Sequence, residues 1–104
     1  MEPKKYKVVT LCGSTRFKDD FLRVQKELTL QECIVISVGL FGHSGDTEVL
    51  DESVKTMLDD MHKRKILMAD ENFVINKGGY IGTSTRSEIE FAQAHGIPVR
   101  YLEP

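Results

Sequence analysis

The chain is poor in the features that would assign it to several large classes. It has only two cysteines, Cys12 and Cys33, in 104 residues, so no disulfide framework is expected. No stretch approaches the roughly 20 consecutive apolar residues of a membrane span. The N-terminal Met1-Glu2-Pro3-Lys4-Lys5 leads directly into a strand pattern rather than a signal peptide. The formal charge is only -2, and like-charge runs such as Lys63-Arg64-Lys65 are short, which argues against a duplex nucleic-acid partner. Gly-x-Ser-x-Gly is absent. His43 and His62 alone show no recognised metal-ligand spacing, and no metal or cofactor is expected. These features together predict a reduced, cytoplasmic protein with no membrane or nucleic-acid partner.

The chain does hold two segments of the same build. The first is Val8-Val9-Thr10-Leu11-Cys12-Gly13-Ser14-Thr15-Arg16. The second runs from Phe73-Val74-Ile75 through Gly78-Gly79-Tyr80-Ile81-Gly82-Thr83-Ser84-Thr85-Arg86 to Glu88. Each is an apolar strand, then glycines and hydroxyl residues, then an arginine and an amphipathic helix. Glycine allows a tight turn and close ligand approach. Unpaired helix N–H groups, hydroxyls and an arginine fork complete an anion site. Gly13, Ser14, Thr15 and Arg16 on one side, with Gly82, Ser84, Thr85 and Arg86 on the other, are therefore candidate phosphate contacts. Glu88 is the one carboxylate added a turn into the second helix. Thr85-x-x-Glu88 also reads as a capping box, so both roles stand open on the sequence alone.

Apolar runs predict strands at Tyr6–Cys12, Cys33–Val38, Asn72–Asn76 and Pro98–Leu102. Helical spacing predicts helices from Thr15 to about Glu32, from about Thr47 to Ala69 and from Ser84 to His95. Asp46 or Thr47 is the expected cap of the second, and Gly96 closes the third. The βαβαβαβ order predicts one α/β domain over residues 1–104, a flavodoxin/Rossmann-like doubly wound parallel sheet of four strands in order 2-1-3-4. A ligand then binds beyond the carboxyl ends of strands 1 and 3, which are the strands that carry the two turns. Cys12 and Cys33 fall at opposite ends of neighbouring strands, too far apart to join.

The same geometry sorts the remaining polar residues. His43 and Asp46 lie on the crevice side, and His62 sits about 12 Å up the second helix towards it. Any of the three could protonate or position a leaving group. Phe41 and Tyr80 could stack on a base or serve as packing residues. Asp70, Glu71 and His95 lie at the remote end, with both carboxylates expected to face solvent.

Cys12-Gly13-Ser14-Thr15-Arg16, the loop after strand 2 and Arg86-Ser87-Glu88-Ile89-Glu90-Phe91-Ala92 resemble the nucleoside 2-deoxyribosyltransferase superfamily, which includes the deoxynucleoside 5'-monophosphate N-glycosidases. The resemblance implies that Glu88 is a nucleophile at C1' and that Ser14 and Arg16 bind a 5' phosphate. A family aspartate that assists the nucleophile falls on His62. The chain departs from the family pattern at Thr10, where many members carry tyrosine, and at Gly82, a polar position in the family. Gly78-Gly79-Tyr80-Ile81-Gly82-Thr83 is also similar to the glycine-rich turn of cytokinin-activating phosphoribohydrolases, which cut the same class of bond. The implied function is cleavage or transfer at the N-glycosidic bond of a (deoxy)nucleoside or its 5'-monophosphate. The alternative is a non-catalytic nucleotide-binding module.

A homodimer or larger homo-oligomer is expected from the small size. Val54, Met57, Leu58, Met61 and Phe91 are candidates for the contact.

Overall fold

The computed structural model describes residues 3–104. Seven regular elements alternate along the chain: β1 (Lys7–Gly13), α1 (Lys18–Leu30), β2 (Cys33–Ile36), α2 (Glu52–Leu67), β3 (Glu71–Ile75), α3 (Thr83–Ala94) and β4 (Val99–Tyr101). All strand pairs are parallel, and the sheet order is β2-β1-β3-β4. This is the doubly wound α/β architecture expected from the alternation. None of the described helices is long and apolar enough to cross a membrane.

The central strand β1 explains the layering. Val9, Thr10, Leu11 and Cys12 are all inaccessible to solvent, as required of a strand covered on both faces. Val9 and Leu11 join Phe21, Val24 and Leu28 of α1 in one core. The α1 residues recur at helical spacing and form a single apolar stripe. Cys12 joins Val74 of β3 and Ile89 of α3 in a second core on the opposite face. On that face the Thr10 hydroxyl donates to the Lys65 carbonyl of α2 at 2.8 Å. Cys12 and Cys33 are both free thiols, and β1 register pairs Cys33 with Lys7, far from Cys12.

Three expectations are corrected here. First, α2 starts at Glu52 rather than about Thr47, because Asp51 caps it. The Asp51 carboxylate accepts from the N–H groups of Ser53 and Val54 at 2.7 and 3.4 Å. Asp46 instead accepts from the Phe41 N–H at 2.7 Å, so it closes a loop of short 3-10 turns and caps no helix. Second, β2 ends at Ile36 rather than Val38. The Lys65 ammonium donates to the carbonyls of Ser37 and Val38 at 2.8 and 3.4 Å, taking acceptors that a longer ladder would use. Third, Glu71 does not face solvent. It is 9% exposed and pairs with Lys7 of β1 and Arg100 of β4, both at 3.0 Å. The two flanking strands thus neutralise a carboxylate that burial would otherwise penalise.

Candidate active site

The site begins where β1 and β3 end side by side. Gly13 pairs with Ile75 in register, and its φ is +147°. A Cβ at position 13 would stand 2.7 Å from the Ile75 carbonyl oxygen, so only glycine lets the two strands stay paired while the chain turns out. Ser14 then caps the 3-10 turn Thr15–Phe17. Its Oγ accepts from the Arg16 N–H at 3.3 Å and from Arg16 Nε at 3.0 Å.

After β3, Gly78 and Gly79 adopt φ of +65° and +83°, which turns the chain towards α3. The C-terminal segment holds this turn. Asn76 exchanges two hydrogen bonds with the Glu103 backbone at 2.9 and 3.0 Å, and the Gly78 N–H donates to the Glu103 carboxylate at 2.8 Å.

Between the two turns lies a cleft of about 450 Å³, within the usual range for small-molecule sites. Gly13, Ser14, Thr15 and Arg16 line one side. Gly82, Ser84, Thr85 and Glu88 line the other, with Tyr80. His43 and His62 also reach it.

Three expected residues stand outside the lining. Phe41 is buried in the core, with its ring edge-on to Phe21 at 5.5 Å. Asp46 is used by the loop, as above. Arg86 is on the exposed side of α3.

Glu88 is 9% exposed. Burial pushes its carboxyl up to about 8, the Asp59 charge on α2 adds to this, and Lys63 opposes it. The capping-box alternative does not hold. Gly82 occupies the cap position and Thr85 is the third residue of α3, so Thr85 cannot cap this helix and Glu88 has no cap to bond back to.

His62 is 6% exposed. Burial and then Lys65 push it down to about 4, with the Leu11 backbone opposing. Its ring is therefore neutral at ordinary pH, and among the described residues Nε2 has no hydrogen-bond partner.

Lys55, Leu58 and Asp59 of α2 also line the cleft and were not foreseen as site residues. With His62 they fall at positions i, i+3, i+4 and i+7, one face of a helix. That spacing was visible, but a helix bearing charges all round does not reveal which face meets the ligand. Among the described residues no three His, Cys, Asp or Glu side chains cluster as metal ligands.

A scan against protein-family models finds no match for this chain, and a search of curated proteins finds none.

Proposed function

We propose that this protein cleaves or transfers at the N-glycosidic bond of a (deoxy)nucleoside or its 5'-monophosphate, with Glu88 as nucleophile. The main support is that Glu88 sits buried in the cleft, outside any cap, facing the turn that carries Ser14 and Arg16. Among the described residues the Glu88 carboxyl makes no hydrogen bond or close ion pair, and a buried carboxyl of this kind costs stability and marks a functional-site candidate. In its ionised form it attacks C1', the C1'–N bond breaks, and the base leaves with the bonding electrons. The base takes up a proton from solvent water, and water or a second base then displaces the glutamate from C1', giving its own proton back to solvent. Arg16 and Ser14 supply charge-assisted hydrogen bonds to a 5' phosphate. His62 is neutral, and among the described residues its Nε2 has no hydrogen-bond partner, so it can accept that proton from the attacking water on its way to solvent.

One observation favours a non-catalytic nucleotide-binding role instead. Glu88 is held protonated near neutral pH in the unliganded protein, and a protonated carboxyl is a poor nucleophile. Incubation with a panel of nucleosides and 5'-monophosphates, followed by chromatography for free base, separates the two readings. Base release that is abolished in Glu88→Gln, with ligand affinity retained, supports the enzyme. Tight nucleotide binding without base release supports the binding module.

Self-association belongs to the same reading. Met57 and Met61 of α2 are 46% and 43% exposed, and sedimentation at micromolar concentration tests whether two copies cover them.

A further inference from the structure

Arginine on an exposed turn ordinarily samples many rotamers and loses that freedom when it binds. Arg16 is held before any ligand arrives. Its Nε donates to Ser14 Oγ at 3.0 Å, and its guanidinium carbon lies 4.4 Å from the centre of the Tyr80 ring. The terminal nitrogens make no hydrogen bond or ion pair among the described residues. The result is a planar fork with its outer edge free, the geometry that suits bidentate capture of phosphate or carboxylate.

Tyr80 is itself fixed. Its ring meets Phe17 edge-on, with centroids 6.0 Å apart and planes at 79°. It also lies against Gly82, where a Cβ would stand 3.2 Å from the Tyr80 hydroxyl oxygen and 3.6 Å from the ring. Gly82 has φ -79° and ψ 176°, a conformation open to any residue. A Cβ at 82 would press the ring by a few tenths of an ångström, so glycine there serves the space it leaves and not its backbone freedom. Ser14, Arg16, Tyr80 and Gly82 all line the one cleft, so the ring draws the arginine of the first turn onto the second.

We propose that Tyr80 is a specificity-determining positioning residue: its ring holds the Arg16 guanidinium ready for a phosphate, and Gly82 leaves room for that ring. The inference rests on the nucleotide reading above and deepens it. Tyr80 then acts through Arg16, and the ring face that meets the guanidinium is closed to a base.

The test is calorimetric titration of the whole chain with inorganic phosphate, a panel of nucleoside 5'-monophosphates and the matching nucleosides. The proteins are wild type, Tyr80→Phe, Tyr80→Leu, Gly82→Ala and the Tyr80→Leu/Gly82→Ala double variant. Tyr80→Leu is expected to weaken phosphate and monophosphate binding about threefold to fivefold, the size of an exposed cation–π contact, and to leave nucleoside binding unchanged. Tyr80→Phe should retain wild-type preference. Gly82→Ala, which shifts the ring by a few tenths of an ångström, should lose part of what Tyr80→Leu loses, and the double variant should lose no more than Tyr80→Leu. Equal loss for nucleosides and monophosphates would assign the ring to the base and overturn the inference, as would an unchanged preference in Tyr80→Leu. A Tyr80→Phe loss as large as that of Tyr80→Leu would place the effect in the hydroxyl and also overturn it. These three outcomes leave the nucleotide reading standing. Failure of wild type to bind any phosphorylated ligand overturns both.

Discussion

The Thr15 hydroxyl and His43 Nδ1 stand 2.8 Å apart, and this contact ties the loop after β2 to the turn after β1. Thr15 Oγ1 also accepts from the His43 backbone N–H at 3.3 Å, and the Thr15 carbonyl accepts from the Ser44 hydroxyl at 2.8 Å. Side chain and backbone of His43 are thus both held at one hydroxyl. Thr15 therefore shapes one wall of the cleft through His43.

Thr15→Val keeps the shape and removes both Oγ1 contacts. It should cost about 1–2 kcal/mol, the worth of one or two hydrogen bonds at a partly exposed site. Hydrogen exchange should show the loss of protection in Gly42–Ser44, while β1 and β3 stay protected. Unchanged exchange in that loop would show that the Ser44 bond to the Thr15 carbonyl, the Asp46 bond to Phe41 and the packing of Phe41 hold it without Oγ1.

Stability should depend on pH through two opposed groups. Glu88 is raised from an ordinary value near 4.5 to about 8. The folded protein then holds a proton that the unfolded chain gives up, so this group's contribution is full below 4.5 and is lost as pH rises to 8. His62 is lowered from 6.5 to about 4. Its contribution is full above 6.5 and is lost as pH falls to 4. Between about 4.5 and 6.5 the two slopes cancel, and above 6.5 stability falls. Glu88→Gln should remove the alkaline fall and gain about 2–4 kcal/mol at pH 8, discounted from the full linkage value. Denaturant titrations from pH 4 to 9 would measure it. No gain at pH 8 would show that the Glu88 carboxyl ionises without cost.

The neighbours of Glu88 should move its titration in opposite directions. Asp59→Asn removes a like charge and should lower the midpoint, and Lys63→Met removes an opposing charge and should raise it. Carbon-13 NMR of the Glu88 carboxyl reads this directly. If base release depends on ionised Glu88, the acid limb of its pH profile should shift the same way in each variant. Shifts of the same sign in both variants would mean that solvation outweighs charge here.

The two thiols should differ in reactivity. Cys12 is fully buried, and burial, with the Glu88 charge added, pushes its thiol well above the usual range. Cys33 is partly exposed at the other end of the sheet. A thiol reagent should label one cysteine per native chain, Cys33, and two after unfolding, because the thiolate is the reacting form. Fast native labelling at Cys12 would show that α3 opens away from the sheet.

Much of this protein is written in local sequence. The apolar run of β1, the stripe of Phe21, Val24 and Leu28, and the two glycine-hydroxyl-arginine turns predict the element order, the sheet and the place of the cleft. Each depends only on residues a few positions apart, since strand and helix periods and turn chemistry are local properties.

Contacts between distant segments decided the rest. The sequence offers Asp46 or Thr47 as the cap of α2, but the Phe41 N–H holds Asp46 and Asp51 caps the helix. Phe41 looked available to a ligand in a glycine-rich loop, but Phe21 of α1 draws it into the core. Glu71 is buried because Lys7, 64 residues away, and Arg100 meet it from both sides. Thr85 and Glu88 match a capping box, yet α3 begins at Thr83 and leaves Glu88 uncapped in the cleft. Tyr80 and Arg16 carry no local sign that one lies on the other. In each case the backbone pattern is compatible with two outcomes. The selecting partner comes from another element, and only folding brings it within reach.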